Sequence, residues 1–394
     1  MRMILCIALP CVLWADPPLT LEQALAKSKA SIARLSVDAD LAEWQSQVKD
    51  ASGFLRESPS VAVSAGPRVG PGLSGVVDQT VEIDAPLMLR RGPVRQLAST
   101  LDVAAPLLQR AADIESRLEV HRAFLGAWAA ECIEAIRAED DLLVQQWLGM
   151  AEARIASGAD PVFQLELVKG ESLKSHLDLE EAKRARVQAW ASLAALSDIP
   201  NAPQPLQYSQ DEGANQLNFG ASESEARYQN GALRRAAVAR QGLEMGQINL
   251  QAAQANSRFS ISGSYAKEND ERVTKIGLAY RFPRPGELSA KKAGQRAQAE
   301  ASRRGLELAL AELDQRFKSA LQTIESNSKS PMAPDTAASM EALTLRLAEG
   351  KDRPSDAIPI RRQFLEIRIR ELQRKQSLYQ AIAELSALTA ENVP

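Results

Sequence analysis

The sequence predicts a mainly α-helical chain with a small β part, in which long antiparallel coiled-coil helical hairpins are combined with four short strands of bilayer-crossing length. Three observations predict it. Apolar residues recur at spacings of three and four over very long runs, four shorter runs alternate apolar with polar residues, and the whole pattern occurs twice.

Composition sets the outer bounds. The chain has 394 residues, of which 45% are hydrophobic and 25% charged, as in a folded protein. A net charge of −3, with no basic run interleaved with aromatics, gives no support to a nucleic-acid surface. The N-terminus combines Arg2, an apolar core from Met3 to Leu13 and the small Ala15, which reads as a cleaved signal peptide over residues 1–15. Cys6 and Cys11 fall inside it, leaving Cys132 alone in the mature chain, so an intramolecular disulfide is excluded.

The first repeat is placed at 16–205. Thr20 and Gln23 form a capping box that opens an Ala/Leu-rich helix to about Phe54. Two alternating runs, Ser58 to Ala65 and Val76 to Ala85, flank the turn-rich GPGLSG and predict a β-hairpin over 59–87. A helical hairpin follows over 91–195: helical periodicity from about Pro93 to Ser157, a glycine stop at Gly158, and a restart at Pro161. Pro106 predicts a kink or the true start of its first arm. Residues 197–216 lack periodicity and read as a linker.

The second repeat, 206–394, runs through the same order. A capping box at Ser222 to Glu225 opens a helix, a β-hairpin spans 257–282, and a helical hairpin spans 288–388 with its turn at Gly350. ARIASG at 153–158 parallels LRLAEG at 345–350, and LAALS at 193–197 parallels LSALT at 385–389, both with an offset of 192. The chain reads as one unit duplicated.

In the strands Val77, Gln79, Val81, Ile83 and Ala85 oppose Asp78, Thr80, Glu82 and Asp84; Phe259, Ile261 and Tyr265 oppose Ser260, Ser262 and Ser264; and Ile276, Leu278 and Tyr280 oppose Lys275, Gly277 and Arg281. On strand pattern alone, a sheet with one face on a helix and the other in water is the more common case. Aromatics near the strand ends and the matching place of both pairs in the repeats favour a membrane barrel. Four strands cannot close such a barrel, and open edges in lipid leave backbone groups unpaired, so several chains must pool their strands.

LTLEQALAKSKASI (19–32), TVEIDAPLMLRRG (80–92), IGLAYRFPRPG (276–286), RIASGADPVFQLELVKGESL and RLAEGKDRPSDAIPIRRQFL, taken in this duplicated order, resemble the outer-membrane efflux protein family typified by TolC, and more closely its heavy-metal efflux branch. The resemblance implies a homotrimer whose pooled strands make a twelve-stranded β-barrel in outer-membrane lipid, continued by an α-barrel through the periplasm. It implies an exit duct of a three-component efflux or type I secretion-like system, fed by a periplasmic adaptor (membrane fusion) protein and an inner-membrane pump, of the RND type in that branch. The scarcity of His, Cys and Met gives no sign of a metal relay despite the metal-efflux likeness, and no cofactor is expected. By position, Arg154, Gly158, Asp160, Arg346 and Gly350 fall at the tips that meet the adaptor. Asp352, Arg353 and Asp356 fall where relatives carry gate residues, with a one-residue insertion beside Gly350 blurring the register. Asp78, Glu82 and Asp84, with Lys275 and Arg281, are the candidate pore lining.

Two other readings compete. For an enzyme the sequence offers little: His121 and His176 lack metal-ligand spacing, no nucleophile elbow or phosphate loop occurs, and Asp140 with Asp141 reads as a solvated helix face. A periplasmic coiled-coil adaptor or scaffold also uses a long helical hairpin, but this chain has two, each with its own strand pair.

Overall fold

The computed structural model describes residues 18–29, 32–53, 55, 58–67, 77–87, 91–208, 221–256, 259–268, 271–280, 282, 286–329 and 336–390. The expected signal peptide lies outside them. In chain order the elements are β1 (Leu19–Thr20), α1 (Leu21–Ala26), α2 (Ile32–Ser52), β2 (Ser60–Pro67), β3 (Val77–Pro86), α3 (Gly92–Ala156), α4 (Val162–Leu196), β4 (Leu206–Gln207), α5 (Ala221–Gln229), α6 (Ala232–Asn256), β5 (Phe259–Glu268), β6 (Glu271–Tyr280), α7 (Glu287–Lys329), α8 (Thr336–Ala348) and α9 (Pro354–Thr389).

The capping box is formed as predicted: the Gln23 amide donates to Thr20 Oγ1 at 3.3 Å, and the Thr20 amide donates to Gln23 Oε1 at 3.1 Å. The helix it opens stops at Ala26 and does not run to Phe54. Tertiary pairing ends it. Ser28 bridges Ser197, the Lys29 amide donates to the Leu196 carbonyl at 2.9 Å, and Leu19–Thr20 pairs in parallel with Leu206–Gln207 inside the stretch read as a linker. Helix α5 starts at Ala221, one residue ahead of the expected cap. Pro106 lies within α3, which continues through it to Ala156.

Two compact units divide the chain, and they cut across the two sequence repeats. Unit 1 takes Met1–Ser31, Glu115–Glu223 and Arg316–Ala387; unit 2 takes Ile32–Ile114, Ser224–Gln315 and Leu388–Pro394. In unit 1 one core gathers Leu21, Val120, Phe124, Trp190 and Leu193, and a second gathers Trp147, Ala151, Val168, Leu343, Leu347 and Ile358. In unit 2 Leu41 and Trp44 pack with Leu97, Leu101, Leu108, Leu243 and Leu250. These are the apolar positions of three- and four-residue spacing, removed from water by neighbouring helices.

Unit 2 also holds the sheet, an antiparallel four-stranded layer in the order β2-β3-β5-β6. Its register puts Val61, Ile83, Gly263 and Ile276 in one cross-strand row and Val63, Val81, Tyr265 and Thr274 in another, so the apolar sides of all four strands share a face. Among the described residues no helix is long and apolar enough to cross a membrane.

Candidate functional site: paired helix turns and a two-faced sheet

Unit 1 contains two helix turns built alike. At the end of α3 the Ala159 amide donates to the Arg154 carbonyl (2.8 Å) and the Gly158 amide to the Ile155 carbonyl (2.9 Å); at the end of α8 Lys351 and Gly350 do the same to Arg346 (2.9 Å) and Leu347 (3.1 Å). This six-to-one and five-to-two pairing satisfies helix-end carbonyls and requires a left-handed residue. Gly158 has φ 72° and Gly350 φ 73°. The cap then fixes the charges. Arg154 holds Asp160 through Nε (2.6 Å) and Nη2 (3.1 Å), and Arg346 holds Asp352 through Nη2 (2.9 Å) and Nε (2.8 Å).

The turns differ in one respect. Arg154 Nη1 also donates to the Leu347 carbonyl at 3.5 Å, so it ties the first turn to the second and is half-buried; Arg346 remains exposed. A methyl group at Gly350 would lie 2.9 Å from that same Arg154 Nη1, whereas one at Gly158 would meet nothing within 4 Å.

The same geometry places the inserted residue. Arginine, glycine and aspartate keep the offset of 192 through Asp352, whereas the following prolines, 161 and 354, and the buried positions Gln164 with Ala357 and Val168 with Arg361 stand 193 apart. The extra residue is Arg353. It is exposed, as is Asp356 in the first turn of α9, where a negative charge favours the helix N-terminus.

Below the turns lie residues that sequence reasoning missed or misplaced. Gln164 is buried and caps α9 from α4: its Oε1 accepts from the Ser355 amide at 3.2 Å, and its Nε2 donates to Ser355 Oγ at 3.4 Å. Asp140 and Asp141 are buried, not a solvated face. Asp140 accepts from the buried Arg361, and Asp141 accepts from Ser175 Oγ at 2.9 Å and Gln145 Nε2 at 2.8 Å. Arg361 also pairs with Glu171, which Arg362 grips through both Nε and Nη2. Burial would raise the Glu171 pKa, but hydrogen bonds and charge from Arg362 and Arg361 hold it below the usual carboxylate value.

In the sheet, Glu82, Ser264 and Lys275 form one cross-strand row on the face opposite the apolar one, and Asp84 lies beside Ser262. Glu82, Asp84 and Lys275 are exposed. The side chain of Asp78 and the whole of Arg281 lie outside the described residues. The apolar face is uncovered among the described residues: Ile276 is 83% exposed, Leu278 66%, Val63 74% and Val61 61%. Phe259 and Tyr280 meet at 5.0 Å between ring centroids, and Tyr280 meets Phe282 at 4.9 Å, an aromatic cluster at one end of β5 and β6.

No family model and no curated protein matches the chain. Solved structures do. The chain is similar to a membrane protein from Pseudomonas aeruginosa (16% identity, 94% of this chain and 89% of that one, TM-score 0.71). It is also similar to CusC, described in relation to transmembrane channel formation (14%, 94% and 91%, TM-score 0.68), and to the Campylobacter jejuni CmeC outer membrane channel (12%, 97% and 90%, TM-score 0.68). Near-complete coverage in both directions matches the order of elements as well as their kind, and this chain has the fold of the TolC-type outer-membrane efflux channels.

Proposed function

We propose that this chain is the outer-membrane exit duct of a three-component efflux system, passively conducting what an inner-membrane pump, of the RND type, hands over through a periplasmic adaptor. The observation that carries this reading is the sheet. It has an exposed apolar face, an exposed polar face and two outer strands, β2 and β6, each paired on one side only among the described residues. Such a layer has unpaired backbone along both margins, which is untenable in lipid unless the margins meet others. Three copies would join β2 of one chain to β6 of the next, close a twelve-stranded barrel, and turn the apolar face to lipid and the row of Glu82 and Lys275 to the lumen. The two sequence repeats, 16–205 and 206–394, would then supply one hairpin of strands and one of helices each.

The helix turns fit adaptor contact and gating. Gly158 and Gly350 would present bare backbone to the adaptor, with Asp160 and Asp352 held in place by their arginines. Arg353 and Asp356, exposed beside the second turn, are the charges available to a gate. The experiment is fractionation followed by sizing of the detergent extract without boiling. An outer-membrane trimer is expected. A soluble periplasmic monomer would overturn the proposal and return the sheet to a helical scaffold.

A further inference from the structure

A groove of about 490 Å³ in unit 1 is lined by α3, α4 and α9 and is separate from the helix turns and the sheet. Its charged lining is unbalanced. Arg361 and Arg362 share Glu171, Arg137 holds Asp178 at 3.0 Å, and Arg370 holds Glu366 at 2.6 Å, which leaves Lys174 with no ion pair among the described residues. Arg361, only 2% exposed, uses both Nη atoms on carboxylates, while its Nε has no hydrogen-bond partner among the described residues. That Nε is itself shut away from solvent, so the cationic groups open to a ligand in the groove are Lys174 and Arg362. The groove is not wholly polar. Leu365 and Ile369 line it one helical turn apart, and its volume is in the range of sites for small organic ligands, well above what a bare inorganic anion fills.

We infer that this groove binds a small organic anion, its acidic head group held by Lys174 and Arg362 and its apolar body resting on Leu365 and Ile369. The inference is independent of the channel reading. It requires only unit 1 folded as described, and would hold for a scaffold as for a duct.

Calorimetric titration of the full-length chain in its extracted, assembled form tests it, with benzoate as the anionic probe and benzamide as its neutral counterpart at matched ionic strength. Saturable binding of benzoate and none of benzamide is expected. Lys174→Gln and Arg362→Gln should each weaken it by about fivefold or more. Both side chains are exposed, so the variants keep the fold, and Lys183→Gln, elsewhere on α4 and paired with Glu180, should leave binding unchanged. Equal response to benzoate and benzamide, no saturable response to either, or equal loss in the Lys183 variant would overturn the assignment.

Discussion

At the residue scale the two turn glycines make a matched pair of positions with unequal consequences. Each adopts a left-handed backbone that costs a residue with a Cβ about 1 kcal/mol. Gly350→Ala would also displace Arg154 from the Leu347 carbonyl, so it should lower the melting temperature more than Gly158→Ala, by several degrees against one or two; equal shifts would mean that Arg154 contributes nothing to joining the turns. Arg361 and Arg362 contrast in the same way. Removing the buried Arg361 strands Asp140 and weakens the hold on Glu171, so Arg361→Met should cost about 3 kcal/mol or more, whereas the half-exposed Arg362→Gln should cost about 1 kcal/mol. His121 carries the pH dependence. Burial lowers its pKa from 6.5 to about 4, and its Nε2 has no partner among the described residues. Between those values the unfolded chain takes up the proton more readily, so stability is full above the unfolded value and falls as pH drops toward the folded one. Melting at pH 5 rather than pH 7 should reveal a loss of about 1 to 2 kcal/mol that His121→Leu abolishes. The arginine–aspartate spacing at the turns was legible in the sequence, because it repeats. The Arg361 cluster was not: Arg361 and Arg362 are adjacent in the sequence, and only packing against α3 and α4 sends one inward and leaves the other at the surface.

At the element scale, the alternation of each strand already separated its two faces, and the pairing of β3 with β5 aligned them across the two halves of the chain. If the sheet enters a membrane as proposed, a lysine on its apolar face near mid-strand should oppose insertion by about 2 to 4 kcal/mol, so Ile276→Lys should deplete the chain from the outer-membrane fraction, while Glu82→Gln on the opposite face should not; quantitative fractionation measures both. Helix periodicity likewise marked apolar positions along α3, among them Leu97, Leu101, Ala104 and Leu108, which are buried. It misjudged α1, since the hydrogen bonds of Leu19 and Lys29 to Pro205 and Leu196 come from segments nearly the whole first repeat away, which no local pattern encodes.

At the scale of the whole molecule the described residues leave apolar side chains of a long helix in the open. Along α4, Phe163 with Leu167 and Leu173 with Leu177 are exposed pairs four residues apart, so each pair presents an apolar surface on one side of the helix. If three copies assemble, Leu167→Glu with Leu177→Glu should lower the trimer fraction on sizing while the monomer keeps its helical circular dichroism. The sequence by itself determined the kinds of element, their order, their duplication and the two faces of the strands, because these follow from local periodicity and turn chemistry. Only the tertiary structure decided which charges are buried, that Arg154 joins the two turns, that the inserted residue is Arg353, and that the compact units draw on both repeats. Those depend on contacts between residues far apart in the chain, whose energies are set by burial and geometry rather than by neighbours in sequence.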